Sequence, residues 1–225
     1  MFRIARLVAA KDLRIELRSR VVTNQVLPFA AIVMVMFAFA LNTDSIVERV
    51  APGLVWLATL FSLLILVQRA FAIETADGAT DAMRAAGVDP AGIFLGKALA
   101  LAAELAVLEI VLLATAIVLY GAELKADGIV LLVTTFVAAT IGLALVGTLY
   151  GGLAAGVRGR ETLLPLLLLP VVAPVLIGAT RATEAALGTG GAVVVDGWPW
   201  LGLLGVFVAL FSVGGTLAFG PLIEE

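Results

Sequence analysis

Apolar residues run along this chain in long blocks separated by short polar stretches. The block lengths predict membrane spans rather than the alternation of a soluble fold. Six blocks qualify, at about 21–41, 52–73, 93–120, 129–155, 163–180 and 198–223. The second is short unless its helix borrows residues 68–73 from the polar stretch that follows. Ala38-Phe39-Ala40 has the form of a signal-peptidase site, but the apolar run before it is longer than a signal h-region.

The longest polar interruption is 69–97, RAFAIETADGATDAMRAAGVDPAGIFLGK. Read as a helix from about Ala72 to Ala86, it is two-faced at 3.6 residues per turn. Glu74, Asp77, Asp81 and Arg84 share one stripe, and Ala72, Ala76, Ala79, Met83 and Ala86 lie opposite. Gly87 predicts the stop, and Asp89-Pro90 predicts an N-cap with proline in the first turn of the next helix. The expectation is a short surface helix between spans with an acidic outer face. At the N-terminus, MFRIARLVAAKDLRIELRSR places Arg3, Lys11, Arg14 and Arg18 on one stripe bordered by apolar residues. That pattern predicts an amphipathic helix lying on a lipid surface.

Composition sharpens the class. Of 225 residues, 62% are hydrophobic and 14% charged, with a mean hydropathy of +1.16. The fold class is therefore all-α: a polytopic membrane protein with six transmembrane helices in one domain. An even span number places both termini on one side. The N-terminal segment, the 69–97 stretch and the loop near Arg158 and Arg160 hold eleven of the fourteen Lys and Arg residues. By the positive-inside rule that side is cytoplasmic. Trp56, Trp198 and Trp200 then fall near the outer interface, where an aromatic belt is expected. The chain has no Cys and no His, which excludes disulfides, thiolate or imidazole metal sites, and Ser-His or Cys-His nucleophilic chemistry. No basic, aromatic-interleaved surface offers a nucleic-acid site.

Several residues stand out as chemistry-bearing. Glu104 and Glu109 lie in the middle of the third span, where an ionisable group costs about 2.5–3.5 kcal/mol on insertion scales. Five residues apart, they point about 140° from each other, so both cannot serve one small site. Gly147-x-x-x-Gly151 and Gly152-x-x-x-Gly156 predict close helix approach in the fourth span. Pro165, Pro170 and Pro174 interrupt the fifth span and are candidates for kinks or gating. G-I-F-L-G-K at 92–97 fails as a phosphate loop: Ala91 stands where its first glycine belongs, and Ala98 follows Lys97. D-G-A-T-D-A-M-R at 77–84 lacks the spacing of the Asp-rich signature of membrane CDP-alcohol phosphotransferases.

Four stretches carry a family resemblance: KDLRIELRSR at 11–20, RAFAIETADGATDAMRAAGVDPAGIFLGKALA at 69–100, GTLYGGLAAGVRGRETLLPLLLLPVVAPVLIGATRAT at 147–183, and the span-6 tail ending in Glu224-Glu225. Together they resemble the CcmB family, also called heme exporter protein B. This is the permease subunit of the cytochrome c maturation system, an ABC-2 type membrane domain. The resemblance implies a bacterial inner-membrane protein with both termini cytoplasmic. It implies a separate CcmA-like ATPase that docks on a cytoplasmic coupling helix carrying Glu74, Asp77, Asp81, Met83 and Arg84. It further implies CcmC-like and CcmD-like membrane partners, a periplasmic CcmE-like heme chaperone, a homodimer and contact with membrane lipid. Heme would be a substrate rather than a resident cofactor, and ATP would be bound by the partner.

The chain's internal methionines are Met34, Met36 and Met83. With Tyr120 and Tyr150 they are its meagre supply of heme-iron ligands. This favours a conformational role, such as ATP-dependent release of heme-loaded chaperone, over a dedicated heme channel. Two other readings fit the pattern: a non-transporting scaffold of a heme-handling complex, and a stand-alone proton-coupled carrier using Glu104 or Glu109.

Overall fold

The computed structural model describes residues 1–41, 44–122, 124–155 and 160–224; the side chains at 44, 45, 75–77, 80, 81, 84, 160, 161, 223 and 224 lie outside that description. Gly156 of the second glycine pair and Arg158 of the basic loop also lie outside it. The described residues are helical with no strand. They form α1 (Phe2–Ser19), α2 (Leu27–Ala40), α3 (Asp44–Asp77), α4 (Ala79–Ala85), α5 (Pro90–Tyr120), α6 (Ile129–Ala155), α7 (Arg160–Leu187) and α8 (Trp198–Glu224). Six helical segments are long and apolar enough to cross a bilayer: Val22–Ala40, in which a π-helical stretch at Val22–Val26 runs straight into α2, and five more along α3, α5, α6, α7 and α8. The chain is a multi-pass membrane protein.

The helices α3 and α6 are the most enclosed of the six, and α8 is the least. Glycine lets α3 and α6 meet. A side-chain carbon added at Gly151 would lie 2.5 Å from the Phe71 ring and 2.7 Å from Val67. One added at Gly147 would crowd Val67, Leu63 and Leu101. Hydrocarbon supplies no apolar drive for helix association, so such close van der Waals approach is a main source of cohesion. Polar bonds tie two further pairs of helices. Trp56 Nε1 donates to Thr183 Oγ1 at 3.0 Å, joining α3 to α7, and Tyr120 Oη donates to the Met34 carbonyl at 2.6 Å, joining α5 to α2.

Several expectations are revised. Helix α3 begins at Asp44 and runs unbroken to Asp77, so the segment before Pro52 is its first turns and not an extended loop. The anticipated single helix from Ala72 to Ala86 is split. Gly78 adopts φ +63°, a left-handed conformation that interrupts a helix, and only residues 79–85 form α4. Helix α7 continues seven residues beyond position 180 to Leu187, and Arg181 pairs with Glu184 at 3.0 Å on the added turns. Pro165, Pro170 and Pro174 lie inside this one continuous helix. Its buried stripe is Leu164, Leu168, Val172, Val175 and Ala179, while Pro170 and Pro174 face outward, so their missing N–H groups leave the packing seam intact. Trp56 is not a belt residue. It is 1% exposed, bonded to Thr183 and packed on Phe136.

The N-terminal helix lies along the start of α5. Its seat is a glycine pair: a carbon added at Gly96 would fall 2.6 Å from the Ala5 carbonyl oxygen and 2.7 Å from Val8 Cβ, and one at Gly92 would fall 2.8 Å from Ile4. Gly96→Leu should therefore push α1 off α5, because backbone atoms of α1 cannot yield. The chain has no native cysteine, so a Val8→Cys reporter can be read alone. Its labelling by a soluble maleimide should be slow in the parent and at least about tenfold faster with Gly96→Leu, a shift of about 1.4 kcal/mol in the opening equilibrium. Equal labelling rates would refute this seat.

Candidate functional site

At the α1 end of the bundle, where α1, the last turns of α3 and the start of α5 converge, the structure gathers charge. Helix α1 buries Ala5, Val8 and Ala9, and one and two turns later Asp12 meets Lys97 of α5 and Glu16 meets Arg69 of α3. These positions follow the i, i+4 spacing of a single helix face. Helix α3 brings Arg69 and Glu74, and α5 brings Lys97. Lys97 Nζ lies 2.8 Å from Glu74 Oε2 and 3.5 Å from Asp12 Oδ2, and Lys11 Nζ lies 2.5 Å from Glu74 Oε1 and 2.9 Å from Asp12 Oδ1. Arg69 Nη1 donates to Glu16 Oε2 at 2.6 Å, and Glu16 Oε1 accepts from the Val22 backbone N–H at 2.6 Å. The Phe71 ring sits 4.7 Å from the Lys97 ammonium, adding a cation–π contact.

Glu74 and Lys97 are each about 5% exposed or less. Charges so enclosed persist because each has opposite charge at hydrogen-bond distance; an isolated one would cost several kcal/mol. Glu74 takes both lysines, one on each oxygen, and Asp12 takes the same two at longer range. Lys11 sits outside the spans at the edge of this layer. Partial burial works against its charge. The hydrogen bond to Glu74, and the hydrogen bond and attraction of Asp12, outweigh that effect and hold its pKa above the ordinary 10.5.

The placement of the site candidates differs from the two-faced helix expected. Glu74 does not lie on an outward acidic face. It belongs to the last turns of α3 and points inward to Lys11 and Lys97. Met83 on α4 is half-buried and packs against the main core. The backbones of Asp77, Asp81 and Arg84 are described, and their side chains lie outside the description. Gly87 is left-handed at φ +67°, and Asp89 caps α5 by accepting from the Ala91 N–H at 3.1 Å. Glu104 borders the charged layer: with Asp12, Glu16, Arg69 and Glu74 it lines a small pocket of about 40 Å³. Glu109 points elsewhere, toward α6, where it meets Thr140.

Sequence reasoning passed over Lys11, Asp12, Glu16 and Arg69 as a constellation. A signal was present: two acids spaced i, i+4 on an otherwise basic helix, and a lysine in the first turns of an apolar one.

A sequence model described as CcmB protein matches residues 3–223. The chain belongs to the CcmB family. Its relatives include heme exporter protein B of Rhodobacter capsulatus, 31% identical over 187 residues covering 81% of this chain and 84% of the relative. Heme exporter protein B of Paracoccus denitrificans is 30% identical over 217 residues, covering 94% and 92%. That of Pseudomonas aeruginosa is 30% identical over 190 residues, covering 83% of each. The CcmB match spans all six membrane helices together with α1 and α4, so the charged layer lies wholly within the family's domain.

Removing one member of the layer should be worse than removing a pair. Glu74→Leu leaves Lys97 enclosed with Asp12 at 3.5 Å as its remaining ion-pair partner among the described residues. Loss of one partner of a buried pair costs about 3–5 kcal/mol. The thermal midpoint of the detergent-purified protein should fall by several degrees in Glu74→Leu and recover in part in Glu74→Leu/Lys97→Leu; a double variant no better than the single would refute it.

The raised Lys11 pKa carries its own expectation. Its stabilisation is fully present below the unfolded-state pKa and is lost as pH rises through the higher folded value. The gap in thermal midpoint between the parent and Lys11→Met should therefore hold from pH 7 to about 10.5 and close above it. Closure below pH 9 would contradict the ion pairs.

Proposed function

We propose that this chain is the permease subunit of an ATP-driven ABC-type complex in cytochrome c maturation. Heme would be the cargo, handled by export or through ATP-dependent release of a heme-loaded chaperone. The observation that carries the reading is α4 and what adjoins it. A short helix connects two long membrane helices, and the α3 turn just before it is tied by Glu74 to both α1 and α5. A partner that shifts α4 would thus act on three helices at once.

The chain lacks a phosphate loop of its own, with Ala91 and Ala98 at the decisive positions. ATP hydrolysis is assigned to a separate CcmA-like subunit docked at α4. Asp77, Asp81, Met83 and Arg84 are its proposed contacts, and Glu74 is the residue behind them that passes movement inward. The names of the relatives supply the heme connection. The remaining assignments follow the family resemblance: an inner-membrane location with both termini cytoplasmic, a homodimer, CcmC-like and CcmD-like membrane partners and a CcmE-like periplasmic chaperone.

A conformational role is favoured over a heme-binding channel in this chain. Met34 is completely buried, and its carbonyl is the acceptor for Tyr120 Oη, so two of the few candidate iron ligands are engaged in packing α2 on α5. The prolines of α7 are proposed as the positions at which that helix bends when the dimer changes state.

The test is co-purification. With the parent, isolation from native membrane should recover an ATPase subunit. Asp77→Lys/Asp81→Lys should reduce that recovery at least tenfold while the thermal midpoint of the isolated chain holds. Undiminished recovery would place the docking site elsewhere.

A further inference from the structure

Between α5 and α6 lies a cavity of about 490 Å³, within the range of about 300–1,000 Å³ typical of small-molecule sites. Its walls are aliphatic and aromatic. Ala103 and Ala106 form part of the α5 side, and Val133, Phe136 and Val137 part of the α6 side. Ile110, Val133 and Val137 at its rim are more than half exposed and belong to membrane-spanning segments, so the cavity opens sideways to the bilayer. Only two polar side chains line it, Glu109 and Thr140.

Glu109 is 2% exposed. Its Oε2 lies 2.5 Å from Thr140 Oγ1, which lies 2.6 Å from the Phe136 carbonyl. One hydroxyl proton cannot fully serve two acceptors, so the carboxyl is poorly supplied with donors. Its second oxygen, Oε1, is buried and has no hydrogen-bond partner among the described residues. If the carboxyl is charged, or if Oε2 carries the proton and donates to Thr140, Oε1 presents an unmet acceptor. A water there would find only Glu109 and Thr140 as polar side-chain partners in walls otherwise apolar, the low end of the two to four that a buried water takes. A buried acceptor left unmet costs about 1–3 kcal/mol.

We infer that this cavity is a binding site for a membrane-dissolved molecule with an apolar body and a single small hydrogen-bond donor, an O–H or N–H, that reaches Glu109 Oε1. The acid lies well inside its span rather than at an end. That depth excludes the headgroup of a phospholipid as the donor and selects a hydroxyl or amine carried on an alkyl, sterol or isoprenoid body. Entry is lateral, from the bilayer. None of the ion pairs of the charged layer involves this site, so it stands or falls independently of the docking assignment.

Trp56 is a built-in reporter, since its ring lies 4.9 Å from that of Phe136 in the cavity wall. In a Trp198→Phe/Trp200→Phe background it is the single tryptophan. The purified protein in nanodiscs would be titrated with 11-bromo-1-undecanol and, in parallel, with 1-bromoundecane, which has the same body without the donor. The alcohol should quench Trp56 saturably, and the alkane only in linear proportion to its partitioning. Glu109→Leu should raise the half-saturating alcohol concentration at least about tenfold, the equivalent of one hydrogen bond, and Glu109→Gln, which keeps an acceptor, should retain saturation. Ala106→Phe fills the cavity without altering the carboxyl and should give the same loss, so the test survives if Glu109→Leu does not fold. Equal quenching by alcohol and alkane, no saturable phase, or saturation unchanged in Ala106→Phe would each overturn the assignment.

Discussion

In a bilayer an apolar helix gains nothing by exchanging lipid for another apolar helix, and this bundle is organised by that constraint. Cohesion has to come from contacts lipid cannot match. One kind is backbone approach at glycine. Gly147 and Gly151 seat α6 on Leu63, Val67 and Phe71 of α3, and Gly92 and Gly96 seat α1 on α5. The other is the polar bond with no water to compete for it. Trp56 to Thr183, Tyr120 to the Met34 carbonyl and Thr140 to Glu109 each join a different pair of helices. Each of these ties involves α3 or α5, and α8, which takes part in none of them, is the least enclosed of the six.

The charged layer extends the same logic to the end of the bundle. An ion pair at a wet surface contributes about 0–1 kcal/mol, whereas one whose members are enclosed cannot be opened without stranding a charge. Glu74 and Lys97 are of the second kind. Their pairing is therefore a constraint on geometry more than a source of net stability. It fixes where the end of α3 lies relative to α5, and Lys11 and Asp12 fix where α1 lies relative to both. The basic face that suited α1 to a lipid surface coexists with this. Arg3, Arg14 and Arg18 remain exposed while Lys11 is drawn inward.

Much of the fold was legible in the sequence because hydropathy and length alone determine what crosses a membrane. The six spanning helices, the Asp89 cap and the glycine approach in α6 all rest on local rules that tertiary context did not override. What was not legible depended on partners. An acid such as Glu74 satisfies its charge equally well with water or with two lysines, and no periodicity separates those cases. The helix register at 72–86 placed it with Asp77 and Asp81, but Gly78 resets the chain just after Asp77, so Glu74 belongs to α3 and turns inward. Trp56 misled for a related reason. An indole suits an interface because one edge can hydrogen-bond, and Thr183 supplies that bond inside the bundle. The end of α7 was misplaced because polar residues at 181–184 read as loop, whereas Arg181 and Glu184 support each other on a helix.

Rigidity and freedom are set side by side near α4, and that arrangement limits what any force applied there can do. Helix α3 is continuous to Asp77 and held at Glu74; one residue further, Gly78 has the backbone latitude to swivel. A small rotation of α4 can be absorbed at Gly78 and leave the membrane helices unmoved. A larger displacement has to pull on Glu74, and since that side chain grips cations from α1 and α5, it either carries both along or breaks a buried pair at a cost of about 3–5 kcal/mol. In the first case α3, α1 and α5 would respond as one body beyond a threshold set by the glycine, the behaviour of a switch rather than of a graded spring.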